Sequence, residues 1–280
     1  MQSRSAKARR TEPGLEQRAM EYRLGTAGFG YREWIGAFYP RDLKATDYLA
    51  FYSQYFDTVE LDTTFHATPP AESVARWKSV TPASFRFSVK TPAAITHGNR
   101  IDEQSAPMLW FLETMRGLGN KLGVVLLQFP PGFTFEQFDR LSAFLSHLPR
   151  DVRFAVEFRH ASWLRDETTA LLRSVGVAWA VGDYDTQVLP VRVTADFLYI
   201  RWIGVHGRFG HLDQEQIDVG ERLQWWKTQF ERTPRTVKGV WGIINNDYTG
   251  YAIGTCNRMK RLLGLAAREP QAAERGELFG

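Results

Sequence analysis

Between Ala155 and Trp163 the chain reads AVEFRHASW, so Glu157, Arg159, His160 and Ser162 follow an apolar run within six positions. A carboxylate can move a proton or hold a cation, a guanidinium can grip an anionic oxygen pair, and an imidazole can do either kind of work. Comparable groups close other short apolar runs: Glu60 and Asp62 after TVE, Lys90 after FRFSV with His97 beyond it, Gln128 after VVLL, Asp183 after AWAVG, Arg201 after FLYI, and Asn245 and Asn246 after VWGII. One reading is acid/base chemistry of the hydrolase or lyase kind. Glu157 or Glu60 acts as base or acid, with Lys90 and His160 completing the catalytic set; Lys90, Arg159 and Arg201 hold an anionic group, Gln128, His97, Asn245 and Asn246 bind the rest of the substrate, and Trp163 and Trp202 wall the pocket. The same residues could instead satisfy one another as structural ion pairs, with His160 as a cap on the next turn.

A metal site is the second reading, with His66, His97, His160, Asp62, Glu157 and Asp183 as candidate ligands for a divalent ion. No H-E-x-x-H spacing supports it. A nucleotide cofactor is not expected, because Gly25, Gly28 and Gly30 in LGTAGFG miss the G-x-G-x-x-G spacing and no P-loop signature occurs. A third reading is a nucleic-acid-associated or purely ligand-binding protein. The net charge of +4 hints at it, but residues 1–18 carry five Lys or Arg against two Asp or Glu, leaving the body almost neutral. The favoured partner is therefore a small anionic molecule such as a phosphate, carboxylate or sugar phosphate. The run ERGELFG at Glu274–Gly280 faintly resembles a clamp-docking peptide, with Arg275 where a glutamine belongs.

These side chains need a scaffold that brings strand ends together. Strand patterns cover Tyr22–Thr26, Thr58–Leu61, Phe85–Val89, Leu122–Leu127, Arg153–Glu157, Val177–Val181, Phe197–Trp202 and Val237–Ile244. Helical patterns fall between them at Asp47–Tyr55, Ala71–Ser79, Pro107–Leu118, Thr134–Leu148, Asp166–Val175, Asp213–Glu231 and Gly250–Leu263. Such alternation predicts an α/β fold of the (β/α)8 TIM-barrel type, a parallel barrel with outer helices, whose strand ends converge on one mouth. The expected organisation is a basic, disordered tail over 1–20, one barrel domain over 21–265 and a C-terminal tail over 266–280. One cysteine, Cys256, rules out an internal disulfide. With no signal-like or spanning apolar run, a cytoplasmic protein without membrane association is expected.

The ordered segments GTAGFGYREWIGAFYP, LAFYSQYFDTVELDTTFH, FRFSVKTPAAITH, LLQFPPGF, RFAVEFRHASW and IINNDYTGYA together resemble the YecE-like family, labelled domain of unknown function 72. The resemblance spans about Tyr22 to Leu263 and implies a (β/α)8 barrel, with no reaction established for the family. It implies characteristic polar positions at Glu60, Lys90, His97, Gln128, Glu157, Arg159, His160, Ser162, Asn245 and Asn246. Where the family commonly has Asn-Ser-Thr-Phe-Tyr after the second strand, this chain has Asp62-Thr63-Thr64-Phe65-His66, which adds a carboxylate and an imidazole.

Overall fold

The structure, a computed structural model, describes residues 20–98, 101–184 and 188–270. Eight strands, β1 (Glu21–Ala27), β2 (Thr58–Leu61), β3 (Arg86–Lys90), β4 (Leu122–Gln128), β5 (Arg153–Glu157), β6 (Ala178–Asp183), β7 (Phe197–Trp202) and β8 (Gly239–Ile244), pair in chain order. All are parallel, and β8 returns to β1 to close the barrel. Closure leaves no strand edge exposed.

Side-chain alternation along each strand sorts two cores. Val124, Leu126, Ala155, Ala180, Tyr199, Trp241 and Ile243 fill the barrel interior, whereas Val125, Leu127, Val156, Val181, Ile200 and Trp202 face outward into the layer covered by helices. The interior takes the large Trp241 ring because β4 offers Gly123 opposite it. A Cβ at that position would lie 2.2 Å from the ring.

The helices are α1 (Tyr48–Tyr52), α2 (Ala71–Val80), α3 (Ala93–Thr96), α4 (Ser105–Arg116), α5 (Phe138–Ser146), α6 (Asp166–Val175), α7 (Gly220–Glu231) and α8 (Ala252–Leu262). No helix joins β6 to β7 among the described residues. There the run from Val188 to Ala195 is irregular, and Thr194 Oγ1 accepts the Trp179 backbone N–H at 2.8 Å while donating to the Val177 carbonyl at 2.7 Å.

The helix expected from Asp213 begins only at Gly220. Asp218 Oδ1 accepts the Gly220 N–H at 3.0 Å, and the Gln216 N–H is taken by the Thr249 carbonyl at 2.7 Å, so residues 213–219 are pinned to the β8 loop instead of coiling. The basic tail expected over 1–20 lies outside the described residues except for Met20, and so does the Glu274–Gly280 peptide. No described helix is long and apolar enough to cross a membrane.

Candidate functional site

At the carboxyl end of the barrel the inward-facing positions carry Glu60, Lys90, Gln128, Glu157, Arg201 and Asn245, each an even number of residues from an interior core position on its own strand or paired with one across the register. Arg201 is the hub. Its Nη2 donates to Glu60 Oε1 and its Nη1 to Glu157 Oε2, both at 2.6 Å, with all three side chains buried. Tyr199 donates to Glu60 Oε2 at 2.6 Å and pairs with Ser88 deeper in the barrel. On the solvent side Glu157 Oε1 accepts from Arg159 Nε at 3.0 Å and from the Tyr184 hydroxyl at 3.2 Å. Lys90 sits over the Phe65 ring, 4.0 Å from its centroid and 3.9 Å from Asp62, and His97 packs against Phe65 edge to face with ring centroids 5.0 Å apart.

The two buried carboxyls are driven in opposite directions. Burial alone pushes Glu157 up, but the guanidiniums of Arg201 and Arg159 outweigh it and hold the carboxyl at about 2. Glu60 is also pushed up by burial; Arg201 opposes this, Asp62 adds to it, and the carboxyl stays above its ordinary value. Lys90 is lowered by burial, against the pull of Asp62. His97 is lowered by burial and by the nearby charges of Lys90 and Arg159.

Above this network, over β5 to β8, opens a cavity of about 630 Å³. Arg159, His160, Tyr184, His206, Asn245 and Asp247 are its polar lining, and Phe158, Leu164, Trp179, Leu189 and Ile203 its apolar one. The terminal amino groups of Arg159 carry no hydrogen bond among the described residues, since only Nε is engaged. His160 Nδ1 accepts the Ser162 backbone N–H at 3.1 Å and meets the Ser162 hydroxyl at 2.7 Å. With Nδ1 used as an acceptor, the neutral form of the ring carries its hydrogen on Nε2. The capping role expected of His160 and its place at the cavity are thus both present.

The family described as "Protein of unknown function DUF72" matches residues 23–277 of the sequence. The chain belongs to the DUF72 family. UPF0759 protein YunF of Bacillus subtilis (strain 168) is 26% identical over 279 residues, covering 88% of this chain and 98% of that protein. UPF0759 protein YecE of Escherichia coli (strain K12) is 36% identical over 109 residues, 39% of this chain and 40% of that one. Among solved structures, the DUF72 family protein TM1631 of Thermotoga maritima MSB8 superposes with a TM-score of 0.73 at 30% identity, covering 87% of this chain and 99% of that chain. The DUF72 family protein EF0366 of Enterococcus faecalis V583 gives 0.70 at 22% identity, covering 89% and 100%, and supports the fold.

Other residues singled out in this DUF72 sequence are dispersed. Trp163 does not line the cavity: it is fully buried in a stack between Phe133 and Phe158 and donates to the Phe133 carbonyl at 2.7 Å. Trp202 faces outward against Trp226, and Trp179 takes the wall position instead. Asn246 faces outward too, its Oδ1 accepting from Trp34 Nε1 and the Ala252 N–H at 3.2 and 3.0 Å. Asp183 points away from the mouth and accepts from Trp226 Nε1 at 2.7 Å and the Tyr248 hydroxyl at 3.1 Å. Gln128 is buried at the mouth, its amide directed to the Phe129 carbonyl at 3.3 Å.

The proposed metal ligands do not assemble. His66 is exposed beside Phe65, His97 bonds Thr96, His160 bonds Ser162, and Asp62 and Glu157 face cations. Among the described residues no three His, Cys, Asp or Glu side chains come close enough to hold a metal ion.

Sequence reasoning missed Tyr184, Tyr199 and His206. Tyr199 was accessible, since it stands two residues before Arg201 and so shares its face. Tyr184 and His206 come from loops whose paths no periodicity encodes.

Proposed function

We propose that the cavity binds a small organic anion and that the mouth performs acid/base chemistry on it, of the hydrolase or lyase class. The observation that carries this reading is Arg159: its Nε is tied to a carboxylate held ionised, which fixes the plane of the fork, while its two terminal nitrogens remain available at a cavity wall. Glu157 is the anchor for Arg159 and Arg201. The proton-exchanging groups are Glu60, displaced upward, and Lys90, displaced downward, both toward neutrality. His160, with Nε2–H free of the Ser162 contact, donates to negative charge that develops on the ligand. The mixed lining favours a ligand with an anionic group and an apolar body.

A glycosidase built on Glu60 and Glu157 fits less well. The oxygens those carboxylates turn toward each other are both taken by Arg201, so no glycosidic oxygen or water can lie between them.

The test is calorimetric titration with phenylphosphonate, followed by a screen of phosphoesters, carboxylic esters and glycosides. Binding that Arg159→Ala abolishes, and turnover that Glu60→Gln and Lys90→Met suppress, support the reading. A wild type that neither binds the phosphonate nor turns over any class refutes it.

A further inference from the structure

The same cavity is lined by a second, separate arrangement. His206 Nδ1 lies 3.0 Å from Asp247 Oδ2, and the other carboxylate oxygen, Oδ1, accepts the Gly207 N–H at 3.4 Å. Asp247 is itself fixed, because Asn245 Oδ1 accepts its backbone N–H at 3.0 Å. The two loops that carry the pair are pressed together at Gly204. A Cβ there would lie 1.9 Å from the Asp247 carbonyl oxygen, and the backbone adopts φ +71°. The close approach at Gly204 fixes the Asp247 backbone, and the carboxylate that this backbone carries takes both the His206 ring and the Gly207 N–H, so the imidazole is oriented by a residue the fold holds in place.

We propose that His206, oriented by Asp247, is the base that activates water in this cavity, with Glu60 and Lys90 exchanging protons with the bound anion beneath it, and that the substrate is an ester bearing an anionic group. The inference rests on the anion-binding reading of the same cavity. A carboxylate only accepts, so the Nδ1 facing Asp247 carries the hydrogen and the Nε2 lone pair is left free. That is the opposite tautomer to His160, which bonds a backbone N–H through Nδ1 and keeps its proton on Nε2. One cavity therefore presents an accepting imidazole nitrogen and a donating one. The His206 side chain is fully exposed, so the proton within its reach is that of water.

His206 Nε2 takes a proton from water as the water oxygen bonds to the ester carbon or phosphorus. The bond to the leaving oxygen then breaks, and the imidazolium, stabilised by Asp247, returns the proton to it. Arg159 holds the anionic group, and Trp179 and Ile203 face the apolar body.

Acylation of the full-length protein by diethyl pyrocarbonate, followed histidine by histidine by peptide mass spectrometry, tests the dyad without a known substrate. His147 is the internal reference: it is exposed, but its Nδ1 faces the Ala143 carbonyl and no carboxylate. At mildly alkaline pH, His206 is expected to react at least about threefold faster than His147, because the Asp247 carboxylate orients its ring and offsets the positive charge that builds on it as Nε2 attacks. Asp247→Asn should remove the advantage and Asp247→Glu restore part of it, with His147 unchanged as the check on folding. Phenylphosphonate should slow His206 in the wild type but not in Arg159→Ala. Equal rates for His206 and His147, or an advantage indifferent to Asp247, overturns the dyad. An Asp247-dependent advantage with no phosphonate protection leaves the dyad standing and overturns the anion-binding reading beneath it.

Discussion

Arg201 Nη1 and Glu157 Oε2 lie 2.6 Å apart with both side chains buried, and the other arm of the same guanidinium holds Glu60 at the same distance. A buried cation shared by two carboxylates is costly to break, because whichever group remains is left charged and without water. Arg201→Met is expected to destabilise the protein by about 3–5 kcal/mol, read as a lower urea midpoint with an unchanged slope.

Glu60 and Glu157 should respond differently to neutralisation. Gln mimics a protonated carboxyl, a form less disfavoured at Glu60, which burial displaces upward, than at Glu157, which the guanidiniums displace downward. At neutral pH Glu157→Gln should therefore cost clearly more than Glu60→Gln, by about 2 kcal/mol or more in paired denaturation curves. Equal costs would contradict the opposed environments.

The acid limb of stability carries the same signature. The Glu157 carboxyl is depressed from 4.5 to about 2, so its contribution is present above the unfolded value and fades as pH falls from 4.5 toward 2. That contribution amounts to about 3 kcal/mol, and the opposite trend from Glu60, whose raised value makes stability fall as pH rises, lies above 4.5 and so outside this limb. Glu157→Gln should flatten the acid limb in stability measured from pH 5 down to about 2.

Gly204→Ala should be damaging out of proportion to a methyl group. The added carbon meets backbone at 1.9 Å and the residue keeps a positive φ, so a loss of about 1–3 kcal/mol and displacement of the His206 loop are expected. Thermal melting gives the first, and loss of the fast His206 acylation gives the second.

Trp163→Ala should behave as a core deletion. With the ring stacked at 5.3 Å from Phe133 and 4.4 Å from Phe158, truncation is expected to cost about 3–5 kcal/mol. Phenylphosphonate affinity should change little in the folded fraction, whereas a pocket wall would lose binding with modest destabilisation.

Sequence alone determined the barrel. Strands such as Thr58–Leu61, Arg153–Glu157 and Phe197–Trp202 were legible to the residue, because buried parallel strands are short apolar runs and their polar ends mark the mouth. The period of two along a strand puts Arg201 with Tyr199 inside and Trp202 outside and separates Asn245 from Asn246, a distinction the expectation of Trp202 and Asn246 at the pocket did not draw. What tertiary structure decided is which of these groups meet. The sharing of Arg201 between carboxylates 97 residues apart in the chain, the opposite displacement of Glu60 and Glu157, and the approach of His206 to Asp247 depend on barrel closure and on loop paths. Long-range electrostatics is set by distance in space, and the sequence prescribes that distance only through the whole fold.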